Sequence, residues 1–407
     1  MEKVRIAVRK FGPFETTLQK LWDLFCLENN IQAEAEMVPL ELNDLYHQTL
    51  TNKGLIHGDW DIAHLNTDWI FDAVHQNAVE DLTPFIAYQA PQNYPNGWHS
   101  SLLNLQRINN GVYGLPFHDG PECLIYRKDL FEDLTEQQNF KMLYGYELNP
   151  PKTWQEFVQI AEFFNRPEQN LFGCVFANYP DGHNMVFDFC LQLWTRGGKL
   201  LNHNNEIEIH TPEAKAALDF YREIAKNQKT THPGSKSFGS VEAGMAFAKG
   251  EAALAINWFG FASMCEVIEE SKVKGKVEIT QLPFDEGKST ASLNVYWLYT
   301  IASGSKNKNL AYQFLRFATT PEADKLLTKE GGIGCRISTW QDTEINQTIP
   351  YYHKLAALHQ NALTLPQITS WDKFAHLIDD MVLQSLNTNK SSDDLLKETQ
   401  NQIQKIR

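Results

Sequence analysis

No run of about 18 or more apolar residues occurs in the chain, so no segment reads as a helix spanning a bilayer. Positive charge is scarce. Lys and Arg number 36 against 50 Asp and Glu, a formal net charge of -14, which repels phosphate backbones and anionic headgroups and argues against a nucleic-acid partner. Cysteine is sparse too: Cys26, Cys123, Cys174, Cys190, Cys265 and Cys335 form no CxxC pair and meet no clustered His, so no metal site is expected. Small buried thiols are the reading for these residues, with one or two disulfides left open. The N-terminus shows no basic n-region, apolar h-region or small-residue cleavage site. Either a leader has been removed or the protein stays inside the cell. Internal repeats and low-complexity segments are also lacking.

What is present begins with size. A chain of 407 residues exceeds one ordinary core and suits two lobes of roughly 150 to 200 residues, with a cleft between them. Aromatics make up 12% of the residues and include ten Trp, which leaves rings beyond those needed to fill a core. Val4 to Val8 alternates like a strand, and Leu18, Leu21, Trp22, Leu24 and Phe25 form one stripe of a helix over Thr16 to Glu28. Asp61 to Leu65 gives a second strand, with Asn66 to Asp68 capping a helix after it. The repeated β-loop-α pattern predicts a parallel sheet with helices on its faces, whose ligand side is the carboxyl end of the strands. Thr153 and Glu156 have the spacing of a capping box, and Thr211-Pro212-Glu213 and Thr320-Pro321-Glu322 are two more helix starts.

Three blocks follow one another in a particular order: Asn178-Tyr-Pro-Asp-Gly-His-Asn184, Leu193-Trp-Thr-Arg-Gly-Gly198, and Thr211-Pro-Glu-Ala-Lys-Ala-Ala-Leu-Asp-Phe-Tyr221. Gly58-Asp-Trp-Asp-Ile62, Val79-Glu-Asp-Leu-Thr-Pro84, Gly250-Glu-Ala-Ala-Leu-Ala-Ile-Asn-Trp258, Gly331-Gly-Ile-Gly-Cys-Arg336 and Leu365-Pro-Gln-Ile-Thr-Ser-Trp371 extend the pattern over nearly the whole chain. Together they resemble the solute-binding proteins of ABC importers, in particular the carbohydrate-binding group that includes maltose-binding protein. The resemblance implies a periplasmic-binding-protein-like α/β fold of two lobes joined by a multi-strand hinge. Lobe one is expected over 1–115 plus 280–319 and lobe two over 116–279 plus 320–407, with crossings near 112–120, 276–284 and 317–322. It further implies a monomer that closes on a carbohydrate and delivers it to a membrane permease, with no cofactor and no catalysis. A periplasmic or lipid-anchored extracellular location follows from the family.

Sugars present hydroxyls that donate and accept and C–H faces that are apolar, so a sugar site needs flat rings beside carboxylates, amides and Arg. Trp258, after Asn257 at a strand end, and Trp371 are placed in the cleft by the resemblance, and each has core packing as its alternative. Asn66 and Asp68 follow a strand and serve either as hydroxyl acceptors or as helix caps. Arg9 and Phe11 stand in the loop after the first strand, where solvated surface charge equally explains the Arg. His118 and Asp119 lie in the turn near the first crossing. Tyr179, His183 and Asn184 belong to the loop of lobe two, Asn294 and Trp297 to a strand of lobe one, and Arg336 follows a Gly-rich turn from which it reaches a hydroxyl or carboxylate.

Other readings of the motifs fail on spacing. Gly287-Lys-Ser-Thr290 has Leu282 where a phosphate-binding loop needs its first Gly, and Gly331 to Gly334 lacks the dinucleotide fingerprint. Two alternatives stay open: the same fold holding a polyamine or other small polar solute, and a glycoside hydrolase, which needs two carboxylates about 5 to 9.5 Å apart. Asp119 and Glu122 are the only suggestive pair for the latter.

Overall fold

The first strand, Glu2–Arg9, is followed by the helix Gly12–Asn29, whose Pro13 suits its first turn and whose Phe14, Leu18, Leu21, Trp22 and Phe25 are buried. The structure, a computed structural model, describes residues 2–406. By contact density the chain divides into two compact units: the first runs to Gly120 and takes in Val295–Ala356 and Gln367–Trp371, while the second comprises Pro121–Asn294, Ala357–Pro366 and the chain from Asp372 onward.

In the first unit, strands Ala33–Leu40, Glu2–Arg9, Ile62–Asn66, Trp297–Ile301 and Leu115–His118 lie side by side in that order. The first three run parallel, but Trp297–Ile301 is antiparallel to both of its neighbours. The sheet is therefore mixed rather than parallel, because its fourth strand returns from a distant stretch of chain instead of a β-α-β crossover. Leu18, Leu21 and Phe25 pack with Phe314, Leu315, Ala323 and Leu327 in one core.

The second unit is built on a sheet ordered Val277–Thr280, Glu122–Arg127, Ala252–Trp258, Phe172–Val175. Only the last pair is parallel. The helix Trp154–Phe164 carries the full capping box of Thr153 and Glu156. Helix Asn184–Trp194 is buried along every residue.

Two expected boundaries move. Residues 320–356 join the first unit, because the helix Pro321–Lys329 puts Ala323 and Leu327 into the core against the Gly12–Asn29 helix. Residues 280–294 stay with the second, where Ser292–Leu293 pairs with Ala362–Leu363 and Ser292 Oγ donates to the Glu122 carbonyl at 2.5 Å. Asn294 accordingly belongs to the second unit and not to the strand of Trp297.

Candidate functional site

In the first unit the carboxyl end of Ile62–Asn66 meets the start of Trp297–Ile301. Trp297 pairs with Asn66 on one side and His118 on the other, so three of the expected residues come together in adjacent strands. A bulge between Trp297 and Leu298, with Phe117 the extra residue opposite, re-aims the strand end. The Trp297 ring stays partly exposed and meets Trp69 edge-on at 5.6 Å and 88°. Thr67 fixes the turn beside it, its N–H donating to the Tyr296 carbonyl and its hydroxyl accepting the Tyr296 N–H. Asn66 Oδ1 accepts the Asp68 N–H at 3.4 Å, and Asp68 is the more exposed of the two. The helix after this turn begins only at Ile70, so Asn66 and Asp68 shape a tight turn rather than a helix cap.

An aromatic layer lies against this end. Phe14 contacts Phe11 at 5.0 Å, Phe117 at 4.8 Å, His118 at 4.7 Å and His64 at 5.9 Å. Burial pushes the His118 imidazole down to about 4 and that of His64 to about 3, so both are neutral near pH 7. His118 Nδ1 accepts the Ile333 N–H at 2.9 Å, which sets its tautomer with the proton on Nε2. Asp119 is buried next to it, its N–H bonded to the Ile333 carbonyl.

In the second unit Trp258 ends its strand and is likewise partly exposed. Phe187 meets it edge-on at 5.8 Å, and His183 stacks on Phe187 at 4.9 Å and 27°. Asn257 is buried and used internally: Nδ2 donates to Ser240 O and Oδ1 accepts the Trp258 N–H, which holds the ring's backbone in place. Asp181 accepts the N–H groups of His183 and Asn184 and also the Asn184 amide at 2.5 Å, so Asn184 serves the loop. Tyr179 is 52% exposed.

Four expected residues sit differently. Arg9 is tied to Glu41 at 3.2 Å in a surface ion pair, the bland reading of that loop. Trp371 is buried at the start of its helix, which makes it a packing residue. Asn294 is buried, its N–H bonded to the Leu363 carbonyl. Arg336 lies under Trp98, its guanidinium 3.9 Å from the ring centre and donating to the Gln92 carbonyl while its backbone N–H donates to Asp324, and it bonds none of the other expected residues.

The sequence offered Glu122 only as half of a pair with Asp119; its burial across from Trp258, near Asp188, was missed. Glu122 is the cross-strand partner of Trp258, is 4% exposed, and its Oε2 has no hydrogen-bond partner among the described residues. Asp188 accepts from the Tyr221 hydroxyl at 2.9 Å, which also lies 2.7 Å from Asn178 Oδ1. Burial pushes Asp188 up to about 7 and raises Glu122 well above the usual carboxylate range, with the nearby Asp188 charge adding to it. The available signal was a lone Asp within the apolar run Met185 to Trp194. Among the described residues no group of His, Cys, Asp and Glu is placed to hold a metal ion, and no helix is long and apolar enough to cross a membrane.

The chain is similar to known proteins in sequence and in fold. The mannitol-binding protein of Pseudomonas aeruginosa is 26% identical over 332 residues, 80% of this chain and 72% of that one. The maltose-bound MalE3 of T. maritima superposes with a TM-score of 0.86 at 23% identity, covering 99% of each chain. An ABC-transporter solute-binding protein from Agrobacterium radiobacter, solved with ribitol, gives 0.87 at 20% identity over 100% of this chain and 99% of that one. These likenesses carry the fold, two α/β lobes of the periplasmic-binding-protein kind. The model of the bacterial extracellular solute-binding proteins matches residues 43–325, and the chain belongs to that family.

Proposed function

We propose that this protein binds a neutral sugar or sugar alcohol and passes it unchanged to the permease of an ABC importer. The observation that carries the reading is the strand-end group of Trp297, Asn66, Asp68 and His118: a partly exposed flat ring beside amide, carboxylate and neutral imidazole. Rings cover the C–H faces of a polyol, and the polar groups match its hydroxyls. Trp258 and His183 of the second unit supply a second ring surface and a further polar edge. The named ligands of the similar proteins, mannitol, maltose and ribitol, all have this chemistry.

Binding draws the population toward the conformation in which the ligand's contacts form. The protein acts as a monomer outside the cytoplasmic membrane, periplasmic or lipid-anchored, and is not an enzyme. A polyamine fits less well, since the clustered groups at Trp297 include one exposed-side carboxylate rather than several.

A thermal-shift screen over mono- and oligosaccharides, sugar alcohols and polyamines tests the class. A ligand at 100 times its Kd stabilises by about 2.7 kcal/mol. Trp258→Ala and Trp297→Ala are each expected to weaken the best hit at least tenfold, about 1.4 kcal/mol, while unfolding stays cooperative. Calorimetric affinities unchanged in both variants rule out this site, and release of reducing sugar from an oligosaccharide rules out a purely binding role.

A further inference from the structure

We propose that the first unit carries a second binding site, for a small oxyanion bearing a carboxylate or phosphate group, in the cavity floored by Arg336. The cavity has a volume of about 440 Å³ and none of its lining residues is acidic.

Arg336 is 1% exposed and cannot shed its charge by deprotonation near neutral pH. Its Nη2 donates to the Gln92 carbonyl at 2.9 Å, and Trp98 covers one face of the guanidinium. Nε and Nη1 have no partner among the described residues. Asp324 and Glu322 are the carboxylates that act on it; Asp324 is spent on the backbone N–H groups of Cys335 and Arg336, and neither forms an ion pair with the guanidinium. A buried cation with open donors is costly until an anion meets it. An uncharged polyol does not neutralise it, which separates this site from the one at Trp297.

The rim fits the same chemistry. Asn93, Asn96, Ser338 and Gln341 line the cavity, and their side chains make no hydrogen bond within the chain among the described residues. They are neutral donors standing around one cation, the composition that holds a carboxylate or phosphate. Gly97 lies close against the guanidinium: a Cβ there would come within 2.8 Å of Arg336 Cζ, so any other residue crowds it.

The test is calorimetric titration of the intact protein with inorganic phosphate and, separately, with acetate and succinate, at constant ionic strength set by chloride. Saturable binding of phosphate assigns a phosphate-type site, and saturable binding of acetate or succinate a carboxylate-type site. In either case Arg336→Gln is expected to abolish binding. Asn96→Asp, at the exposed rim where folding is not at stake, is expected to weaken it at least tenfold by placing a competing negative charge. Absence of saturable binding by all three anions overturns the proposal, as does binding that Asn96→Asp and a folded Arg336→Gln both leave intact.

Discussion

Asp188 occupies a place where an ionised carboxylate is expensive. Tyr221 has one hydroxyl proton and two acceptors within 2.9 Å, Asn178 and Asp188, and a protonated Asp188 resolves that conflict by donating to the Tyr oxygen. Its ordinary value is 3.8, and burial carries it to about 7. Between those values the folded chain holds a proton that the unfolded chain has released. The stability this group contributes is therefore complete below about pH 4 and is lost as pH rises to about 7. Asp188→Asn removes the ionisation, so the melting temperature of the variant relative to the parent is expected to rise from pH 5 to pH 8. Thermal unfolding at the two pH values checks this, and an equal difference at both contradicts it. Single residues were unevenly legible in the sequence. Trp258 was singled out by the resemblance with core packing as its alternative, and the structure leaves it and Trp297 partly exposed at a strand terminus. The bonds of Arg9 and Asn257 were not legible, because their partners, Glu41 and Ser240, come from distant positions.

Helix starts were the most readable elements, since a cap is settled by residues three apart. Thr153 accepts the Glu156 N–H while the Glu156 carboxylate returns to the Thr153 N–H, and Thr211 and Thr320 accept from Ala214 and Ala323. Thr153→Ala is expected to cost about 1 kcal/mol, read as a lowered denaturation midpoint with an unchanged m-value; a change in m instead points to a rearranged native state. Sheet composition was much less legible. The apolar run over 296–302 reads as a buried strand but says nothing of its direction or neighbours, so the antiparallel insertion between Ile62–Asn66 and Leu115–His118 had no local signal. The bulge opposite Phe117 depends on that insertion and was equally hidden.

For the molecule as a whole, the order of motifs was legible and the division of the chain was less so. The span 320–356 was expected in the second lobe, whereas the burial of Ala323 and Leu327 keeps it in the first unit. If both units hold the ligand, hydrogen exchange should slow on adding it in peptides over 62–69 and 295–299 and also over 179–187 and 256–259. Protection confined to one set of peptides contradicts a shared shell. The position of Trp297–Ile301 between Ile62–Asn66 and Leu115–His118 in the first sheet also bears on how the protein is made. Residues up to His118 leave the ribosome well before their shared partner strand, a delay of roughly 10 to 35 s at 5 to 20 residues per second. During that interval the edges of Ile62–Asn66 and Leu115–His118 have no neighbour to pair with, so the nascent chain is exposed to capture by chaperones until translation has passed Ile301.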